Sequence, residues 1–212
     1  MKKILYSVAL AACCMGTMTS CSDFLDASNK SNVTDKQTFA TKEGLNNLVN
    51  NAYQHLQNVY AAPLFTSCFS AGTDMYADAR NKMNEALNTY ETLTPENTDI
   101  KNLYTYLYSG IRAANSVSYY AQTAQVDDKT KGQLIGEARV LAAYEYYLLV
   151  NNFGGVPIMK DFLTTADTGY PKSSAADVYA YIISELEDVI SKNVLQASTA
   201  TKGGGRISQE TA

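Results

Sequence analysis

The sequence predicts an all-α protein of irregular helix pairs, and three observations predict it. Apolar residues recur at three- and four-residue steps over four long stretches. No run of period-two alternation is long enough to make a sheet. The breaks between the periodic stretches carry helix-starting and helix-stopping residues. With 212 residues, 46% of them hydrophobic and 18% charged, the chain can bury a core and is not a disordered polymer.

The chain opens Met1-Lys2-Lys3 and is apolar from Ile4 to about Met18. A basic start and a short apolar run make a leader, too short for the roughly 20 residues that span a bilayer. The run ends Thr19-Ser20-Cys21, which resembles a bacterial lipobox. The expectation is that residues 1–20 are a lipoprotein signal peptide and that Cys21 is acylated. An ordinary leader with an incidental cysteine is the alternative; Cys21 standing where cleavage should fall favours lipidation. Two or more acyl chains anchor stably. Residues 21–40 read as a polar tether touching the body at Phe24 and Leu25, and 41–212 as the helical domain.

The first helix fits from Thr41, a plausible N-cap with Glu43 in the first turn. Leu45, Leu48, Val49, Ala52, Leu56 and Val59 form its apolar face. Residues 60–98 show no sustained period and hold Pro63, Gly72 and Pro95, so they read as a long irregular loop. A second helix fits 99–124 through Ile100, Leu103, Leu107, Ile111, Ala114 and Val117. Asp127-Asp128 marks a break. A third helix fits 130–152 through Leu134, Ala138, Leu141, Leu148 and Leu149, ending at Gly154-Gly155. The second and third should pair antiparallel across their short turn.

Val156 precedes Pro157 and must be extended. A fourth helix fits 175–191, with Ser174 and Asp177 spaced as a capping box. Ser208-Gln209-Glu210 resembles the start of a fifth helix, which reads as the beginning of an element continued in a longer protein. Helix starts recur at 34 residues twice, interrupted by a 41-residue step, a weak tetratricopeptide-like rhythm.

Several functions are disfavoured. The formal charge of −4 gives no basic footprint for nucleic acid. Of the four cysteines, only Cys68 remains after the leader and the lipid site, so no internal disulfide or cysteine metal site is expected. Cys68 reads as a small buried apolar residue. The single histidine, His55, sits near the polar flank of the first helix and reads as a boundary residue. Nucleophile-elbow, zinc-protease and phosphate-loop motifs are absent. Asp74, Asp78, Glu85 and Glu91 could in principle supply a glycosidase pair, yet acids in a polar loop are mostly solvated. No catalytic residue and no cofactor is assigned.

Binding remains. The loop holds Asp74-Met75-Tyr76-Ala77-Asp78-Ala79-Arg80, then Asn81, Asn84, Asn88 and Tyr90. Sugar C–H faces stack on flat rings, and sugar hydroxyls take bidentate partners such as Asp, Asn and Arg. Asp74, Tyr76, Arg80 and Tyr90 are therefore the candidate ligand residues, although a peptide would accept the same surface. These side chains could equally satisfy the loop's own backbone. The helix-borne tyrosines, including Tyr104, Tyr108, Tyr144, Tyr146 and Tyr147, read as helix contacts.

The segment Glu137-Ala138-Arg139-Val140-Leu141-Ala142-Ala143-Tyr144-Glu145-Tyr146-Tyr147-Leu148-Leu149-Val150, followed by Phe153-Gly154-Gly155-Val156-Pro157-Ile158, resembles the signature helix and turn of the SusD/RagB family. Cys21-Ser22-Asp23-Phe24-Leu25-Asp26, Ile111-Arg112-Ala113-Ala114-Asn115, the helix from Val178 and Gly205-Arg206 follow the family order. Ala142 and Gly155 depart from it, standing where Arg and Asp are usual. Members run to more than twice this length, so the resemblance is to their N-terminal part.

The resemblance implies tetratricopeptide-like helix pairs and no enzymatic step. It implies a polysaccharide-utilisation lipoprotein anchored by lipid (palmitate among its acyl chains) at the outer membrane and facing outward. Such a protein captures an oligosaccharide, in some members a peptide, for a SusC-like TonB-dependent barrel transporter in nutrient uptake. A structural or adhesive surface lipoprotein without a small ligand is the alternative.

Overall fold

The computed structural model describes residues 35–61, 63–76, 85–165, 169–198 and 205–212. The leader, Cys21, Phe24, Leu25, Asp78 and Arg80 lie outside them. Every regular element among the described residues is helical: α1 (Asp35–Thr38), α2 (Lys42–Tyr60), α3 (Leu64–Phe69), α4 (Glu85–Thr89), α5 (Thr98–Ala121), α6 (Asp128–Phe153) and α7 (Ala175–Lys192). The all-α expectation holds.

The long helices start where their caps dictate. Thr41 Oγ1 accepts the Gly44 amide at 3.0 Å and opens α2. Asn97 Oδ1 accepts from Asp99 and Ile100 and opens α5. Asp127 accepts the Thr130 amide at 2.9 Å, so the expected break is itself the cap of α6. Ser174 and Asp177 form a complete capping box on α7. Each such cap contributes about 1 kcal/mol. Gly154, at φ 70°, ends α6 by returning its amide to the Val150 carbonyl.

Two expectations change. The segment 60–98 contains the short helices α3 and α4, which are too brief to show a period in sequence. Residues 35–38, read as tether, form a helical turn, and Phe39 packs on the core with its ring 4.8 Å from that of Tyr120. At the other end, residues 208–211 make a single turn, with the Thr211 amide bonded to the Ser208 carbonyl.

α5 and α6 form the expected antiparallel pair. Tyr104 meets Phe153 at one end, and Ala121 and Ala124 share a cluster with Leu134 and Ala138 at the other. α7 lies antiparallel on α6, through Tyr146 with Tyr181 and Arg139 with Glu185. α2 packs on α5 and runs beside α6. The buried core divides into a cluster around Leu45, Val49, Val117, Ala138 and Leu141 and a second around Leu107, Ile111, Tyr146, Leu149 and Val178. Burying each of the Val, Leu and Ile side chains among these contributes roughly 1.5–3 kcal/mol.

Two arginines tie the layers together. Arg139 of α6 donates to Glu185 at 2.6 Å and to Asp188 at 2.5 Å on α7. Arg206 donates to Glu137 of α6 at 2.6 Å and to Asn50 of α2 at 3.1 Å, with its guanidinium over the Tyr53 ring. Glu137 is almost fully buried, and it also accepts from Gln133 and Tyr53. A buried carboxylate is tolerated when its lone pairs are filled in this way.

Candidate glycan-binding surface

The turn after α3 carries two of the sequence-selected residues. Gly72 sits at φ 75°, where a Cβ would also overlap the Tyr90 hydroxyl and the Leu87 carbonyl. Only glycine fits there. The chain then presents Asp74 and Met75 to solvent, with Met75 94% exposed. Tyr76 is half-buried, and its amide bonds to the Thr73 carbonyl at 3.3 Å.

Tyr90 also has a local structural contact. It ends α4 in the left-handed region at φ 62°, and its hydroxyl donates to the Gly72 carbonyl at 3.4 Å. It therefore spans the gap between the end of α4 and the turn after α3, although its ring stays exposed. Below it lies a cavity of about 350 Å³ bounded by Cys68, Leu87, Tyr90 and Phe153. Cys68 is half-buried and free, and burial pushes its thiol pKa up to about 11.

The structure thus places Asp74 and Tyr76 on one turn and the Tyr90 hydroxyl against it from the end of α4. It also shows a feature that sequence periodicity missed. Phe69 and Phe65 stack at 5.2 Å with planes 24° apart, and Phe65 lies 5.3 Å from Tyr60. The Tyr60 hydroxyl is hydrogen-bonded to that of Tyr144, and Tyr144 stacks on Tyr147 at 6.1 Å and 22°.

Five rings thus run from the turn across α3, the end of α2 and the outer face of α6. Tyr60, Phe65, Tyr144 and Tyr147 are 41, 37, 40 and 47% exposed. Desolvation, then the bond to Tyr144, raises the Tyr60 phenol pKa, so this phenol stays neutral through the physiological range. The available signal was the offset Tyr60–Tyr144, equal to that of the Tyr53–Glu137 contact. That offset becomes readable only once α2 is known to run alongside α6.

The remaining helix tyrosines divide. Tyr146 is fully buried and Tyr120 nearly so, as helix contacts should be. Tyr144 and Tyr147 are half in water instead. His55 is a half-buried boundary residue whose Nδ1 has no hydrogen-bond partner, and burial lowers its pKa.

Residues 23–201 match a SusD-like family described as "Starch-binding associating with outer membrane". SusD-like protein P38 of Formosa agariphila is 28% identical over 190 residues, covering 87% of this chain and 36% of that protein. Surface glycan-binding protein A from Bacteroides uniformis superposes with a TM-score of 0.67 at 26% identity, over 80% of this chain and 39% of that one. A SusD homolog from Bacteroides thetaiotaomicron shares the fold with a TM-score of 0.67 at 21% identity, over 85% and 36% of the two chains. The chain spans little more than a third of the length of these relatives. With the match running from residue 23 to residue 201, the chain belongs to the SusD-like family.

Proposed function

We propose that this chain serves as a surface glycan-binding lipoprotein, capturing oligosaccharide at the outer membrane and passing it to a TonB-dependent transporter. The observation that carries the reading is the row of partly exposed rings beside the Asp74–Tyr76 turn, two stacked pairs joined through Tyr60. Rings in that arrangement offer successive flat apolar faces, which the C–H faces of a polysaccharide match. The family description and the name of the Bacteroides uniformis relative support the same ligand class. In this reading Asp74 and Arg80 bond sugar hydroxyls, Tyr76 stacks, and Tyr90 holds the turn while offering its exposed ring to the ligand. Residues 1–20 direct export and Cys21 carries the lipid. The protein binds and delivers, with no bond-breaking step assigned to it.

Calorimetry against a panel of polysaccharides tests this. Tyr76→Ala should weaken oligosaccharide binding about fivefold or more while leaving the melting temperature unchanged. Binding that survives Asp74→Ala, Tyr76→Ala and Arg80→Ala together would remove these residues from the site.

A further inference from the structure

A second cavity is not absorbed by that surface. It lies between α5 and the chain that follows α6, has a volume of about 830 Å³, and is bounded by Tyr104, Tyr108, Arg112, Asn115, Asp161 and Tyr170, among others. That volume falls in the roughly 300–1,000 Å³ range of small-molecule sites.

Its polar groups are held in place. Tyr108 donates its hydroxyl to the Pro157 carbonyl at 2.7 Å, which leaves its ring as a fixed wall. Asn115 donates to the Met159 carbonyl at 2.8 Å and to the Asp161 carbonyl at 3.4 Å. Both bonds use Nδ2, so its Oδ1 is left as an acceptor. Tyr104 packs against Tyr108 and edge-on against Phe153.

Arg112 is the odd member. Arg139 and Arg206 each form ion pairs. Arg112, among the described residues, makes no ion pair or hydrogen bond; its guanidinium lies 5.5 Å from the centre of the Phe162 ring. A guanidinium held over a ring keeps its planar fork of donors unused, and Arg112 lines this cavity. Asp161 adds an acceptor on the same rim, so one cation and one anion face the cavity.

We infer that this cavity is a second saccharide site, taking one or two residues of a neutral sugar. Rings supply the stacking faces, Arg112 a bidentate donor, and Asn115 and Asp161 acceptors for vicinal hydroxyls. The balanced rim argues for a neutral polyol over a charged ligand. The inference rests on the glycan-binding reading above, yet it places this contact at residues outside the aromatic row.

The test is calorimetry of the full chain with neutral oligosaccharides, using Arg112→Ala and Arg112→Gln, each checked for wild-type helicity and melting temperature. Arg112→Gln keeps most of the side-chain stem over Phe162 and removes the charged fork. The expected result is about a tenfold loss of affinity in both variants for a ligand that Tyr76→Ala does not affect. Oligosaccharide binding unchanged by both arginine variants would overturn this site and leave the glycan-binding reading standing. A wild-type chain that binds no saccharide in the panel would overturn both. Loss confined to Arg112→Ala, with Arg112→Gln unchanged, would also overturn it, because the effect would then come from packing on Phe162.

Discussion

The α5–α6–α7 body and the aromatic rim are built by different rules. In the body, the buried Glu137 is held by partners from two distant segments as well as from its own helix, and the buried Ser116 bonds back to the Ala113 carbonyl. Glu137 is shared among Gln133, Tyr53 and Arg206. On the rim, the turn at 71–76 is held by a few local bonds, and its rings stay in water. The body is spent on rigidity, and the rim leaves contact area free. Substitutions should therefore separate cleanly: changes in the body move stability, and changes on the rim move binding.

The largest expected effect is in the body. Leu141 is 2% exposed in the core where α2, α5 and α6 meet. Leu141→Ala should cost about 2–5 kcal/mol, read as a lower denaturant midpoint. A change within about 0.5 kcal/mol would place that face in solvent.

Arg206→Ala comes next. It leaves Glu137 buried with its charged partner gone, at a cost of about 3 kcal/mol, toward the low end because Arg206 keeps 27% of its side-chain surface. Arg206→Lys should recover part of that loss. Equal stability of wild type and Arg206→Ala would show that the 205–212 segment does not hold the body together.

One body residue breaks the rule and sharpens the contrast. Glu145 is fully buried, and neither carboxylate oxygen has a hydrogen-bond partner. It lies against Gly110 of α5, where any side chain would collide with it. Desolvation raises its pKa well above the usual carboxylate value. The folded state therefore binds this proton more tightly than the unfolded chain. The resulting stabilisation is full below the unfolded pKa, about 4.3, and is lost as pH rises through the folded value. Glu145→Gln cannot ionise, so its melting temperature relative to wild type should climb between pH 4 and pH 8. An offset that is constant across that range would contradict a protonated Glu145.

The smallest stability effect belongs to the rim. Tyr147 is 47% exposed, so Tyr147→Ala should change stability by less than about 0.5 kcal/mol. A large loss would make the ring row a structural brace.

Sequence reading recovered what is local. Thr41, the Ser174–Asp177 box and Gly154 each act on neighbours within four residues, and each sits where its chemistry predicts. The apolar faces of α2, α5 and α7 follow from period, whereas α6 is buried on nearly every side. What depends on pairing over long separations was out of reach. The Arg206 clamp joins residues 69 apart in the chain, and Tyr60 meets Tyr144 across 84. α3 and α4, at 6 and 5 residues, are shorter than two helical turns and leave no periodic trace. In the candidate surface, residue type singles out Asp74, Tyr76 and Tyr90, while the Tyr90–Gly72 bond depends on two segments that meet across 18 residues.

If sugar stacks on the row of rings beside the 71–76 turn, removing two of those rings must weaken binding. The measurement that tests it most directly is calorimetric titration of wild type and a Tyr144→Ala/Tyr147→Ala double variant with the same neutral polysaccharides. The account predicts at least about a tenfold weaker affinity in the double variant, with unchanged helicity and melting temperature. Equal affinity in the two proteins would contradict it.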